Sequence, residues 1–160
     1  MEIKYIKGDA TEPIISEGKY SVICHCCNAI GAWGKGFVVP LGKKYPKAKE
    51  KYFEFIKASN KDNRLGSVSF AKVTDNIIVA NIIGQYDIYP KNGKIPLDYE
   101  ALEKGFNLVI EMFNMHNMPL TIHMPKIGCG LAGGDWNKVK DIINNTFIKN
   151  NIETYVYILN

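Results

Sequence analysis

The stretch KYSVICHCCNAIGAWGKGF, residues 19–37, decides the fold of this chain. Its first part, KYSVICHC, is apolar enough to predict a strand that is buried on both faces of a sheet. Its second part, AIGAWGKGF, is a glycine-rich loop, and we expect a helix to begin near Lys35 or Gly36. A buried strand that leads through a loop into a helix is the repeating unit of an α/β protein.

The same alternation extends to both ends of the chain. The first half of the chain predicts the strand EIKYI, a helix over YPKAKEKYFEFIKAS, and a hairpin of GSVSFAKV and IIVANII. The second half predicts a helix over DYEALEKGFNLVIEMF with Asp98 as its cap, and then the strand LTIHMPK. A last helix carries Trp136, Val139, Ile142, Ile143 and Phe147, and the strand ETYVYIL follows it. We expect a three-layer α/β/α fold with a central mixed, largely parallel sheet of about six strands. A length of 160 residues predicts a single domain over residues 1–160.

Composition limits the classes of function. The chain is 46% hydrophobic and 22% charged, and its net charge of +4 comes from scattered lysines. A weak positive field favours an anionic small molecule, and no block is basic enough to require nucleic acid. No stretch approaches the ~20 apolar residues of a membrane span, so we expect no membrane association. Three of the four cysteines lie within residues 24–27, which is unsuited to a disulfide framework and favours a reducing, cytoplasmic compartment.

Two glycine-rich loops predict a binding site for linked phosphates. AIGAWGKGF follows one strand, and PKIGCGLAGGDW follows another, and each leads into a helix. The carboxyl ends of strands in an open α/β sheet are where ligands bind, and glycines let the backbone approach them closely. Neither loop is a Walker loop, because neither contains Gly-Lys-Ser or Gly-Lys-Thr. The alternative is that the glycines only form tight turns.

The cysteines next to His25 also suggest a metal site, but strand geometry disfavours it. Side chains alternate along a strand, so Cys24 and Cys26 face one side while His25 and Cys27 face the other. No second His/Cys pair and no HExxH motif accompany them, and a zinc site needs about four converging ligands. We therefore expect no metal and no cofactor, and small cysteines packed in the sheet. Cys129 is the one cysteine worth testing as a nucleophile.

Three segments together resemble the macro domain family, an ADP-ribose-binding module. They are YIKGDAT (residues 5–11), CNAIGAWGKGF (27–37) and MPKIGCGLAGGDW (124–136), and the resemblance runs from Ile3 to Leu159. The nearest branch contains the ADP-ribose 1''-phosphate phosphatases and the terminal ADP-ribose protein glycohydrolase. The resemblance implies that ADP-ribose or ADP-ribose 1''-phosphate is the ligand.

The resemblance also implies roles for individual residues. Adenine would lie at Gly8, Asp9 and Ala10, with the Asp9 carboxylate accepting from the exocyclic amine, and Asn28, beside Cys27, would bind the distal ribose. The first phosphate loop would consist of Trp33, Gly34, Lys35, Gly36 and Phe37. The second phosphate loop would consist of Ile127, Gly128, Cys129, Gly130, Leu131, Ala132 and Gly133. Two alternatives stay open: Asp9 caps a turn, and Asn28 satisfies backbone groups at the strand end.

The chemistry departs from the glycohydrolase pattern. That enzyme's catalytic lysine would fall near Gly84 and Gln85, where no lysine occurs, and its aspartate would stand where this chain has Ala132. His25 and Asp135 remain as the candidate catalytic residues. The alternatives are that His25 is a core histidine and that Asp135 is the N-cap of the last helix.

From these residues we expect a monomeric, metal-independent hydrolase that converts ADP-ribose 1''-phosphate to ADP-ribose. A de-ADP-ribosylase that acts on ester-linked ADP-ribose of protein or nucleic acid is the first alternative. A non-catalytic ADP-ribose reader is the second alternative. A binder of single-stranded nucleic acid would need a stacking surface and a more basic groove than the sequence offers.

Overall fold

A computed structural model describes residues 1–90, 92–127 and 133–159 of the chain. Strands and helices alternate in the order β1 (Lys4–Lys7), β2 (Tyr20–Asn28), α1 (Val38–Lys44), α2 (Pro46–Ala58), β3 (Val68–Lys72), β4 (Ile77–Gln85), α3 (Tyr99–Met115), β5 (Leu120–Pro125), α4 (Trp136–Ile143) and β6 (Thr154–Ile158). A 3₁₀ turn, Lys61–Asn63, follows α2, and one π-helical turn, Asn144–Ile148, extends α4.

Within these residues the strands form one six-stranded sheet in the order β1-β6-β5-β2-β4-β3. Every neighbouring pair is parallel except β3 and β4, which form the antiparallel hairpin that the sequence predicts. The expectation of a mixed, largely parallel sheet is therefore confirmed. Because β1, β6, β5, β2 and β4 run in the same direction, their carboxyl ends meet at one edge of the sheet.

Helices cover both faces of the sheet. On one face α3 and α4 pack against alternate strand residues, among them Cys24, Ile82 and Val156. On the other face α1 and α2 pack against the intervening residues, among them Ile23 and Val79. The central strand β2 is buried along almost its whole length, as its apolar sequence predicts. The result is the expected three-layer α/β/α arrangement.

Local signals place most helix ends correctly. Pro46 occupies the first position of α2, where its missing N–H costs no hydrogen bond. The Asp98 side chain accepts a hydrogen bond from the Ala101 N–H (3.0 Å) and caps α3. The predicted start of α1 near Lys35 or Gly36 is wrong, since α1 begins at Val38. Gly36 has a φ of +81°, a left-handed conformation that cannot belong to a right-handed helix.

Among the helices that the structure describes, none has both the length and the apolar character required to cross a membrane.

Candidate binding site at the carboxyl edge of the sheet

A cavity of about 590 Å³ opens at the carboxyl ends of β2, β4 and β5. This volume lies within the range of small-molecule sites in proteins. Three parts of the chain that are distant in sequence form its described walls: the end of β2 with the following loop, the loop after β4, and the end of β5. The lining consists of residues 25–28, Ala32, residues 34–38, Gln85, residues 88–90 and residues 125–127.

Asn28, the last residue of β2, fixes the shape of the loop that follows. Its side-chain Oδ1 accepts hydrogen bonds from the backbone N–H groups of Ile30 (3.1 Å) and Ala32 (3.0 Å) and from the Tyr52 hydroxyl (2.9 Å). Its Nδ2 donates to the Ala32 carbonyl (2.8 Å). Asn28 therefore satisfies backbone groups at the strand end while it also lines the cavity. Its contact with a ribose stays a prediction.

The first predicted phosphate loop contributes directly to the cavity wall. Gly34, Lys35, Gly36 and Phe37 all line the cavity, whereas Trp33 is buried beneath the loop. The Trp33 ring packs edge-on to His25 and against Tyr52, with centroid separations of 5.7 and 5.3 Å. This aromatic packing stabilises the loop whose backbone faces the cavity.

The predicted adenine segment lies at the end of β1, outside the cavity walls. Asp9 accepts hydrogen bonds through Oδ1 from the N–H (2.9 Å) and the hydroxyl (2.8 Å) of Thr11, so it caps the turn that follows the strand. Ala10 is buried beside Tyr155 and Tyr157, and Phe37 of the phosphate loop packs against the same cluster. The Gly8 N–H donates to the Ile158 carbonyl of β6. The adenine segment and the first loop therefore share one packing cluster.

His25 is 2% exposed and bonded within the core, although it also lines the cavity. Asn81 Nδ2 donates to the Ala48 carbonyl (3.0 Å), which turns Asn81 Oδ1 toward His25 Nε2. Nε2 must therefore carry the proton and donate, leaving the lone pair on Nδ1. Burial lowers the pKa of His25 to about 4, although the bond to Asn81 acts in the opposite direction. The ring is consequently neutral at pH 7.

Asp135 lies away from the described cavity walls. Its carboxylate accepts from the Asn137 N–H (2.9 Å), so it caps α4. Its own backbone N–H donates to the Tyr99 hydroxyl (2.9 Å), and the residue is exposed. This arrangement matches the N-cap alternative, while a role in a reaction stays a prediction.

The second predicted phosphate loop is only partly described. Ile127 is buried and lines the cavity, and Gly133 has a φ of +70°. A Cβ at Gly133 would stand 3.3 Å from Ile95, in the loop after β4. Gly128, Cys129, Gly130, Leu131 and Ala132 lie outside the described residues, and their predicted roles stay predictions.

The described cysteines have the character of core residues. Cys24 and Cys27 are buried, and Cys24, Cys26 and Cys27 are free thiols. Burial raises the pKa of Cys26 to about 12 and raises the pKa values of Cys24 and Cys27 above their usual range, so these thiols are protonated. Within residues 1–90, 92–127 and 133–159, no three His, Cys, Asp or Glu side chains are grouped so as to hold a metal ion.

Sequence reasoning missed the third wall of the cavity. Gln85 lines it from the last position of β4, Ile88, Tyr89 and Pro90 line it from the following loop, and Lys126 lines it directly after β5. Gln85 Nε2 donates to the Asp87 carbonyl (2.8 Å), which shapes the start of that loop. The signal that could have found these residues is the parallel pairing of β4 with β2, because it brings the end of β4 to the same sheet edge as Asn28.

Comparison with known proteins identifies the family of this fold and site. The family model described as Macro domain matches residues 24–143. An ADP-ribose 1''-phosphate phosphatase of Lodderomyces elongisporus is 27% identical over 149 residues, covering 90% of this chain and 92% of that protein. The human ADP-ribose glycohydrolase OARD1 is also 27% identical, covering 98% of this chain and 91% of that protein.

Solved structures agree over nearly the whole chain. A Bacteroides thetaiotaomicron protein of unknown function has a TM-score of 0.90 at 44% identity, covering 98% of both chains. A macrodomain protein of Streptomyces coelicolor has a TM-score of 0.81 at 34% identity, covering 98% of this chain and 99% of that one. The chain belongs to the macro domain family.

Proposed function

We propose that this protein binds ADP-ribose and hydrolyses ADP-ribose 1''-phosphate to ADP-ribose and inorganic phosphate. The observation that carries the proposal is the charge of the cavity. Among its described lining residues, Lys35 and Lys126 are cationic and none is Asp or Glu. A site of this kind favours an anionic ligand over a neutral or cationic one. The names of the fungal phosphatase and the human glycohydrolase support the same ligand class.

The distance along the carboxyl edge of the sheet also suits the proposed ligand. Three strand spacings separate the end of β1, where Asp9 lies, from the end of β2, where Asn28 lies. At about 4.8 Å per spacing this distance is ~14 Å, which suits an elongated dinucleotide-like ligand better than a compact one. Asp9 Oδ1 is occupied by Thr11, but a carboxylate has about four acceptor positions, so the adenine amine can still be bound.

The reaction requires water as the second substrate. The water oxygen attacks phosphorus, the bond from phosphorus to the sugar oxygen breaks, and the leaving sugar oxygen takes a proton. We propose that His25 and Asp135 carry out the proton transfers of this reaction. His25 lines the cavity, but its Nδ1 lies 3.8 Å from the Cys27 thiol and its pKa of about 4 makes it a weak base. Asp135 would have to act beyond its role as helix cap.

A non-catalytic reader is the second candidate function. The specific observation that favours it is the engagement of both candidate catalytic residues: His25 is bonded to Asn81 in the core, and Asp135 caps α4 from outside the described cavity walls. A reader would use the same cavity and the same two lysines without turnover. Binding and turnover must therefore be measured separately.

The deciding experiment measures phosphate release and ligand affinity on the same samples. We expect the wild-type protein to bind ADP-ribose and to release phosphate from ADP-ribose 1''-phosphate. The Asp135→Asn variant should keep its melting temperature and ADP-ribose affinity, because asparagine caps helices about as well as aspartate. A fall in turnover of roughly 10²–10⁴-fold, the usual contribution of general acid–base catalysis, would assign Asp135 to the reaction.

Other outcomes separate the alternatives. Unchanged turnover in Asp135→Asn would leave the residue as a cap and direct attention to His25. Binding by the wild type with no turnover on ADP-ribose 1''-phosphate, nor on protein or nucleic acid carrying ester-linked ADP-ribose, would establish the reader. Turnover only on the ester-linked substrates would establish a de-ADP-ribosylase.

A further inference from the structure

The two lysines of the cavity point to opposite ends of the sheet edge. Lys126 directly follows β5 and Lys35 lies in the loop after β2, and the side chains of both are exposed. Neither ammonium group forms an ion pair with any residue of 1–90, 92–127 or 133–159. Each one instead lies over an aromatic ring, and these two rings show where each charge is held.

Lys126 is held on the β1 side of the cavity. Its Nζ is 5.7 Å from the centre of the Trp136 ring. That indole donates its N–H to the hydroxyl of Tyr5 in β1 (3.3 Å) and meets the Tyr5 ring edge-on. The Lys126 charge is therefore held beside the Tyr5–Trp136 pair, on the side of the cavity toward β1.

Lys35 is held on the β4 side. Its Nζ is 6.0 Å from the centre of the Tyr89 ring, in the loop after β4. Strand β4 pairs with β2 on the side away from β5 and β1, so Tyr89 and the Lys35 ammonium group over its ring lie on the side of the cavity away from β1. Tyr89 is 61% exposed, and an exposed cation–π contact is weak enough for an anionic group to displace it.

We propose that Lys35, presented by Tyr89, is the residue that selects the terminal 1''-phosphate, whereas Lys126 binds the diphosphate that substrate and product share. The inference rests on the proposed function, which places adenine at Asp9 and the distal ribose at Asn28. A ligand bound with adenine at Asp9 and the distal ribose at Asn28 has its 1''-phosphate beyond Asn28, near Lys35 and Tyr89. A phosphate monoester adds about −1.5 to −2 charges there, and Lys35 is the described lining cation at that end.

Matched lysine variants test the assignment. For wild type, Lys35→Gln and Lys126→Gln, the affinity for ADP-ribose is measured by calorimetry. The affinity for ADP-ribose 1''-phosphate is taken from the KM of phosphate release or, where no turnover occurs, from calorimetry as well. We expect wild type to prefer the phosphorylated ligand and Lys35→Gln to lose about tenfold more affinity for it than for ADP-ribose, because the hydrogen bond to the terminal phosphate is lost in addition to the general positive charge. Lys126→Gln should weaken both ligands by the same factor. Both side chains are exposed, so circular dichroism should confirm that the variants fold.

Tyr89 variants test how Lys35 is presented. Tyr89→Leu removes the ring and should reduce the preference for the phosphorylated ligand in part, whereas Tyr89→Phe keeps a ring face and should restore it. A merely structural role for Tyr89 would change both affinities together.

The outcomes that overturn the inference differ from those that overturn the function. If Lys35→Gln weakens both ligands equally, or keeps the wild-type preference, Lys35 does not select the terminal phosphate, although the protein still binds ADP-ribose. If Lys126→Gln alone removes the preference, the two roles are reversed. If wild type binds neither ligand, the proposed function fails and the inference fails with it.

Discussion

The side-chain amide of Asn28 holds the loop that carries Lys35. Removing it in Asn28→Ala leaves the Ala32 carbonyl and the N–H groups of Ile30 and Ala32 without their partner. Loss of partners for buried polar groups costs about 1–3 kcal/mol, so we expect a lower melting temperature. We also expect faster tryptic cleavage after Lys35, since the loop loses its anchor. Limited proteolysis followed by mass spectrometry measures this rate.

The control for this prediction is Tyr52→Phe. Phenylalanine keeps the aromatic packing against Trp33 but removes the hydroxyl that donates to Asn28. We expect a smaller loss of stability, about 1 kcal/mol, and little change in cleavage at Lys35. Equal cleavage rates in Asn28→Ala and wild type would show that other contacts hold the loop.

Two buried histidines make stability depend on pH. Burial lowers the pKa values of His25 and His123 to about 4, against an ordinary value of 6.5. As pH falls from about 6.5 to 4, the unfolded chain takes up protons that the folded chain does not, so the free energy of unfolding decreases. A shift of this size corresponds to roughly 3 kcal/mol per histidine. Above pH 6.5 both contributions are fully present.

Urea unfolding at several pH values between 7 and 4.5 measures this effect. His123 is hydrogen-bonded through Nε2 to the Thr121 hydroxyl and through Nδ1 to the Tyr157 hydroxyl, both at 2.7 Å, so His123→Gln should lower stability at pH 7. The same variant should flatten the pH dependence, because one titrating group is gone. His116→Gln, at an exposed histidine, is the control. A slope unaltered by His123→Gln would mean that other groups cause the acid sensitivity.

At the scale of elements, the contact between α3 and β4 depends on a glycine. A Cβ at Gly105 would stand 2.4 Å from Cγ2 of Ile82, a stiff and fully buried side chain. Overpacking of this kind costs about 1–3 kcal/mol, which exceeds the gain of about 1 kcal/mol from better helix propensity. We expect Gly105→Ala to lower the melting temperature by a few degrees.

Asn107→Ala is the matched control on the same helix. Asn107 is exposed, so alanine there improves helix propensity without a clash, and the melting temperature should stay the same or rise. A melting temperature that rises equally in both variants would show that the sheet yields to the extra methyl group.

The elements that the sequence predicts correctly are those with local causes. Pro46 starts α2 and Asp98 caps α3, because proline geometry and side-chain capping act within one turn of the chain. The start of α1 is predicted too early, and the cause is also local. The positive φ of Gly36 does not fit a right-handed helix, so α1 begins two residues later, at Val38. Periodicity alone does not reveal that φ angle.

The cavity is a property of the whole molecule, and sequence reasoning recovered only part of it. The two glycine-rich loops carry a recognisable signal, which predicts Asn28 and Lys35 as binding residues, and both line the cavity. Tyr89 is not predicted, because no nearby feature of the sequence shows that β4 pairs in parallel with β2. The strand order is set by long-range pairing, and that order decides which loops share an edge. Lys126 is part of the second glycine-rich segment, but the sequence alone does not single it out as a lining residue.

The two edge strands of the sheet bear on whether the protein associates with itself. Strand β1 has only four residues and carries the exposed Lys4 and Lys7, and strand β3 has five residues and ends at the exposed Lys72. Short edge strands with lysines resist pairing with a second sheet, because pairing would bring like charges together. We therefore expect a monomer, and sedimentation velocity at increasing protein concentration measures this directly.

A pair of double variants tests whether the edge lysines are responsible. Lys4→Val with Lys7→Val gives β1 an apolar, strand-favouring edge, so we expect association that grows with concentration. Lys49→Val with Lys57→Val makes the same change of charge on the exposed surface of α2, where no strand edge is available, and should leave the protein monomeric. Equal association of both double variants would mean that general loss of charge causes it. A wild-type dimer at low micromolar concentration would contradict the prediction outright, because the unmodified edges would then permit assembly.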